Sequence, residues 1–339
     1  MATITATTIT TVALTTADVA VSATAPTLNV TGYVQVGEPT SLINRFAPSL
    51  TDVGVDGLAL NLAGDQLTGV NNPALEALLA TAHRDARCAT VLLSNFDNAR
   101  SDFSPAVAAR LLDSATNRDG VALQLATFVS TFHWDGVTVD LEALNAADAP
   151  GLVDFVATLR RDLPARANLT VDVAAASSPP AFIQQGYDLA ALAASAWIVL
   201  MAYDLHGPTW SGPGPISPLT WQRRCLTALL KLVPARDVLL GVAGYGYSWP
   251  AGSRVHDGTS LSDVAAQRLV AHDHATARFD PSAGEWTARL ASGTVLWWSD
   301  HRSYLERVAV ASAAHLRGLA VWELGTIDSL TRTAALPAR

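Results

Sequence analysis

The segment that decides the reading is WDGVTVDLEAL, residues 134–144. Strand side chains alternate between two faces, so Thr138, Asp140 and Glu142 share one face while Val137, Val139 and Leu141 share the other. The apolar face suits packing against helices, which leaves the polar face for the inside of a closed barrel. Two carboxylates directed inward near the C-terminal end of a barrel strand stand where such folds carry their catalytic groups. Burial next to a second carboxylate raises a carboxyl pKa, which suits a general acid. Asp135 has the opposite parity and is expected to act structurally, at the start of the strand. Taken alone, the segment also fits a second reading, in which Asp140 and Glu142 pair with a buried arginine or cap a loop.

Outward from this segment, β-branched runs alternate with helical patterns from about residue 29 onward, as in a parallel sheet with crossover helices. Strands are expected over 29–36 (NVTGYVQV), 52–62 (DVGVDGLALNL), 88–95 (CATVLLSN) and 135–142 (DGVTVDLE). Four more are expected at 168–175 (NLTVDVAA), 196–204 (AWIVLMAYD), 237–246 (DVLLGVAGYG) and 317–325 (RGLAVWELG). Most are nearly continuous in apolar residues, as strands buried on both faces are. Amphipathic stretches such as 72–86 and 148–163 supply crossovers. The count is that of a (β/α)8 barrel spanning 29–339. The interval between the seventh and eighth strands is too long for a plain crossover. A helix-like 261–273 and strand-like 275–280, 284–291 and 293–300 predict a small α+β insertion over 250–299. With all eight barrel strands outside that span, its removal is expected to leave the barrel folded.

Half of the 339 residues are hydrophobic and 15% are charged, which is ample for a large buried core. The length exceeds the ~100–200 residues of an ordinary domain, but α/β barrels reach such sizes as one unit. The net charge of −8 and the lack of any basic run argue against nucleic acid and favour a neutral or polar substrate. Cys88 and Cys225 lack metal spacing and read as small hydrophobes. The eight histidines form no HxH or HExxH pair, and His133 reads as structural. GVAGYG, 241–246, lacks the spacing and following helix of a nucleotide loop. No stretch reaches the ~20 apolar residues of a membrane span. Residues 1–28, rich in alternating Thr and aliphatic residues, fail the pattern of a secretory signal and read as an extended arm. That arm is either a loose tail or a docking strand for a partner.

The string from Asp135 to Glu142 resembles the DxxDxDxE signature of glycoside hydrolase family 18, the chitinase-like enzymes. Asp135, Asp140 and Glu142 occupy the first, third and glutamate positions, and Thr138 replaces the middle aspartate. LMAYD (200–204) is similar to the family's Met-x-Tyr-Asp strand, GVAGYGYSW (241–249) to the next, and GLAVWELG (318–325) to the final strand with its tryptophan. LLSNF (92–96) stands where ordinary chitinases carry a Ser-x-Gly-Gly turn. Together with 187–221 and 299–307, it resembles the bacterial spore-cortex N-acetylglucosaminidases that act on peptidoglycan. No LysM wall-binding module is recognisable in these residues. An extracellular, cell-wall or particle-associated setting would follow from that substrate class.

The resemblance implies retaining, substrate-assisted hydrolysis at N-acetylglucosamine units, an exception to the two-carboxylate scheme, without a metal or organic cofactor. Glu142 would be the proton donor, Asp140 would hold the acetamide N–H, and Tyr203 would donate a hydrogen bond to the acetamide. Trp322 would be the floor beneath the sugar, with Tyr33, Asn95, Met201, Asp204 and Tyr245 in the subsites. In the family pattern the middle aspartate shares a proton with the next one. Thr138 cannot take that proton, and is expected instead to donate a hydrogen bond to Asp140. Tyr247, Trp249, Trp297 and Trp298 fit either a cleft or the core of the insertion. Two further functional classes stay open at this point: a glycan-binding protein that has lost catalysis, and a particle-associated protein docked through its N-terminal arm.

Overall fold

The computed structural model describes residues 28–252 and 257–331, so the expected arm over 1–28 lies outside the described residues apart from Leu28. Eight strands form in the expected places: β1 (Asn29–Gln35), β2 (Asp52–Leu60), β3 (Cys88–Ser94) and β4 (Gly136–Asp140). They continue as β5 (Asn168–Ala174), β6 (Trp197–Met201), β7 (Val238–Ala243) and β8 (Gly318–Trp322). Each pairs in parallel with its sequence neighbours, and β1 pairs with both β2 and β8, which closes the (β/α)8 barrel.

The helices begin where local chemistry tells them to. Asn72 and Ser104 accept backbone N–H bonds from Ala74 and Val107 at the starts of the helices Pro73–Arg84 and Pro105–Leu112. In both, a proline occupies the first helical position, where no N–H is needed. The outward side chains of the strands, among them Val55, Val91, Val137, Val139 and Val171, meet Leu78, Leu125, Leu152 and Phe155 in one continuous buried core. Truncating any such leucine to alanine costs about 2–5 kcal/mol. The inward side chains form a separate, smaller plug of Tyr33, Leu92, Val199, Leu239 and Ala320. This plug closes the barrel from below and leaves the C-terminal mouth free for polar groups.

Between β7 and β8 lies the insertion, a five-stranded antiparallel sheet with one helix, Asp263–His272. Its first strand is Tyr245–Trp249, so the insertion starts ahead of the expected residue 250. The apolar run through 246 hides this, because the chain leaves the barrel at Gly244, whose N–H bonds to the Trp322 carbonyl. Trp249 and Trp298 are fully buried and Tyr247 nearly so, which settles these three as core. The half-buried Trp297, like Tyr203 and Trp322, packs against the buried cluster of Ile216, Ala243, Tyr245, Tyr247 and Trp249.

The insertion is also bolted to the barrel. Glu285, on its strand Glu285–Arg289, accepts from the backbone N–H groups of Ile216 and Ser217 at 2.7 and 2.6 Å. The same carboxylate accepts from the Ser217 hydroxyl at 2.7 Å and from Arg307, on the final barrel helix, at 3.2 Å. Both charged side chains are buried, with Glu285 0% and Arg307 1% exposed. Excising 250–299 would therefore leave Arg307 without this counter-charge, a cost to set against the expectation that the barrel stays folded.

Candidate active site

A cleft of about 570 Å³ opens at the C-terminal ends of the barrel strands. Glu142, Asp140, Tyr203, Met201, Asp204 and Trp322 all line it. These are six of the nine side chains the resemblance assigned to chemistry and sugar contact. Their convergence follows from the fold: each stands at or just past the C-terminal end of β4, β6 or β8.

Glu142 lies two residues beyond β4, and its backbone is held from both sides. Its N–H donates to Asn95 Oδ1 at 2.9 Å, and its carbonyl accepts from Asn95 Nδ2 at 2.9 Å. Asn95 also donates to the Ser104 carbonyl at 3.0 Å and is 1% exposed. The Tyr187 hydroxyl donates to the preceding carbonyl, that of Leu141, at 3.0 Å, and Ala143 turns the chain with φ of 57°. Asn95 thus stands behind the cleft as the clamp on Glu142, not in a sugar subsite as expected.

The cleft is rich in carboxyl groups, and among the described residues no Lys, Arg or His lines it. Burial pushes the Glu142 carboxyl up to about 7, helped by the charges of Asp204 and Asp102. Asp140 is pushed well above the usual carboxylate range, first by burial and then by Glu142, Asp172 and Asp56. Asp56 and Asp204 are both raised to about 6 by burial. For Asp204 the two hydroxyls of Tyr245 and Tyr247 work the other way, donating to its Oδ1 at 2.6 and 2.8 Å. The site therefore keeps protons on acidic groups near neutral pH, which is what a carboxylic general acid requires. Among the described residues, no group of three or more His, Cys, Asp or Glu is arranged to hold a metal ion.

Three further residues, Tyr245, Tyr33 and Thr138, occupy places other than those expected of them. Tyr245 does not line the cleft; it supports Asp204 from the insertion side. Tyr33 is 3% exposed and lies under the floor, its ring 5.6 Å from that of Trp322. Thr138 does not hydrogen-bond to Asp140: its hydroxyl accepts from Thr170 at 2.9 Å. A two-residue step along a strand spans ~6.6 Å, too far for so short a side chain to reach up, while Thr170 stands directly beside it. Asp135 keeps the place expected of it, before the start of β4 at the opposite end of the barrel, where it accepts from the Ala89 N–H at 2.9 Å and contacts His83 at 2.9 Å.

Two cleft carboxyls went unremarked in the sequence, Asp56 on β2 and Asp172 on β5. Each is an acidic residue inside an otherwise apolar barrel strand, and in β5 the alternation places Asp172 on the same face as Thr170. That signal was present in the same form as in the decisive segment.

The likeness to known proteins agrees with this geometry. The family model described as Glycosyl hydrolases family 18 matches residues 74–326. The putative sporulation-specific glycosylase YdhD of Bacillus subtilis is 27% identical over 84% of this chain and 68% of its own length. The cortical fragment-lytic enzyme of the same organism is 24% identical over 69% of this chain and 56% of its own length. Among solved structures, a chitinase from Chromobacterium violaceum superposes with a TM-score of 0.80 at 28% identity, covering 89% of this chain and 95% of that one. The match spans most of the barrel, including the strands that bring Glu142, Asp140 and Tyr203 to one cleft, and the chain is thus a glycoside hydrolase of family 18.

Proposed function

We propose that this chain cleaves β-glycosidic bonds at N-acetylglucosamine units with retention of configuration, the substrate's own acetamide acting as nucleophile. The observation that carries the proposal is Glu142 held at the cleft with a carboxyl raised to about 7, directly above the buried Asp140. Glu142 gives its proton to the glycosidic oxygen as the acetamide oxygen attacks the anomeric carbon and the bond to the leaving sugar breaks. The resulting oxazolinium ion carries its positive charge on the ring that holds the former acetamide nitrogen. Asp140 accepts that N–H and offsets the charge, and the Tyr203 hydroxyl donates to the acetamide before attack. Water then gives a proton to Glu142 and attacks the anomeric carbon, restoring the acetamide. Trp322 offers an indole face beneath the sugar, and Asp204, fixed by two tyrosine hydroxyls, is placed to accept from the acetamide or a sugar hydroxyl.

The preferred substrate is proposed to be peptidoglycan, ahead of chitin. The curated relatives named a sporulation-specific glycosylase and a cortical fragment-lytic enzyme support this choice. Mass spectrometry of products from purified peptidoglycan and from chitin oligomers tests it. Faster release of fragments with N-acetylglucosamine at the reducing end from peptidoglycan is the expected result; turnover of chitin oligomers alone would overturn the substrate choice.

A further inference from the structure

Position 138 holds a threonine where the family pattern has an aspartate, and the cleft contains a carboxyl that pattern does not assign. The register of β4 on β5 pairs Thr138 with Thr170 and Val139 with Val171, so Asp140 and Asp172 stand side by side at the next step. Both face the barrel interior and line the cleft, with only 7% and 4% of their surfaces exposed. Oδ1 of each has no hydrogen-bond partner among the described residues. Adjacent strands lie ~4.8 Å apart, so the two residues are neighbours across the strand pair, and among the described residues no Lys, Arg or His lines the cleft. Buried carboxyls on neighbouring strands titrate as a coupled pair, and ionisation of one opposes ionisation of the other.

The surroundings reinforce this. Asp56 from β2 and Glu142 above add negative charge, and the phenols of Tyr33, Tyr203 and Tyr187 complete the ring of titratable neighbours. Burial, then the neighbouring charges, drives both carboxyls well above their ordinary range. The Tyr33 phenol hydrogen-bonds Asp172 and opposes part of that rise. Thr138, engaged with Thr170, can neither take nor give up a proton at these pH values.

We propose that Asp172 is the proton partner of Asp140, supplying from the neighbouring strand the carboxyl that position 138 lacks. The proposal rests on the reading of Asp140 as the group that receives the acetamide N–H. In the free enzyme the pair holds one shared proton. As positive charge develops on the acetamide nitrogen, that proton resides on Asp172, which leaves Asp140 anionic towards the N–H. When the intermediate is hydrolysed the proton returns to the shared position. Asp172 acts through Asp140 and is a positioning residue, with no bond to substrate made or broken by it.

The test compares Asp172→Asn, Asp172→Asn with Thr138→Asp, and Glu142→Gln, all on one N-acetylated oligosaccharide across pH. Asparagine keeps the size of Asp172 but cannot accept the proton. Because one pKa unit corresponds to a factor of ten, kcat on the acidic side should fall about 10- to 100-fold, and the acidic limb of the profile should move to higher pH, because the proton now stays on Asp140. Adding Thr138→Asp should bring that limb back. A wild-type rate and profile for Asp172→Asn would overturn the proposal, as would a loss equal at every pH that Thr138→Asp does not repair. Carbon NMR of wild-type protein labelled at aspartate carboxyls needs no variant: two well-separated ionisation steps for the pair are expected, and two ordinary overlapping ones would refute it. An undiminished rate for Glu142→Gln would instead bring down the proposed function itself, whatever Asp172 does.

Discussion

At the joint between insertion and barrel, Glu285 accepts four hydrogen bonds, one of them from the equally buried Arg307. In the cleft, Asp140 and Asp172 are buried almost as deeply, yet among the described residues each keeps an oxygen without a partner and no cation lines the site. The first arrangement gives the carboxyl group a full set of partners and fixes the loop at 216–217 in place. The second holds carboxyls away from their preferred ionisation state, which costs stability and creates proton-holding groups at the surface a sugar would occupy. The same side-chain chemistry serves architecture in one place and reactivity in the other, and the difference is the set of partners each backbone delivers.

The sharpest way to break this contrast is to remove the proton from the cleft. Glu142→Gln should lower turnover by ~10²–10⁴, the usual worth of general-acid catalysis, while leaving glycan binding largely intact. In the wild type the same group makes activity decline as pH rises past about 7, where Glu142 loses its proton. At the joint, Glu285→Ala should cost ~3–5 kcal/mol of stability, because it strands a buried guanidinium. Chemical denaturation measures that loss, and a change below the level of a surface mutation would show that the joint is not the anchor described.

A smaller effect carries the opposite sign. An unfolded glutamate ionises near its model value of 4.5, whereas folded Glu142 does so near 7. Below the lower value both states keep the proton and Glu142 contributes nothing to pH dependence. Between the two values the unfolded state ionises first, so folded stability falls as pH rises and levels off above the upper one. Glu142→Gln should therefore melt above wild type at pH 7.5, by ~2–3 kcal/mol at most, with the gain vanishing near pH 4. Melting curves at the two pH values check this. Smallest of all is Thr138→Val, which leaves the Thr170 hydroxyl unpaired and should cost ~1–3 kcal/mol of stability. Its pH–rate profile should match wild type, since the structure turns Thr138 away from Asp140. A shifted profile would restore the direct Thr138–Asp140 contact expected from the sequence.

The barrel was legible because strand alternation is a local property, readable within 134–144 and seven other runs. The same property placed Asp140 and Glu142 on an inward face and Asp135 off it. What alternation cannot supply is register between strands. Asp172 becomes a neighbour of Asp140 only through the β4–β5 pairing, and Asn95 meets the Glu142 backbone across 47 positions in the chain. The resemblance counts Tyr245 among the sugar contacts, but the chain leaves the barrel after β7, and Tyr245 opens the first strand of the insertion. Each of these residues had the expected chemistry; its position was set by contacts between segments, and those are absent from any single stretch of sequence.

The central claim is that the substrate's acetamide, held by Asp140, supplies the attacking oxygen. The most direct test is the rate of hydrolysis of one oligosaccharide before and after removal of the N-acetyl group next to the scissile bond. With the group removed, the glycosidic bond and the Glu142 proton are unchanged but the nucleophile is gone, so hydrolysis should nearly cease even at saturating substrate. Comparable rates on the two substrates would contradict the account and assign the attack to a carboxylate of the protein.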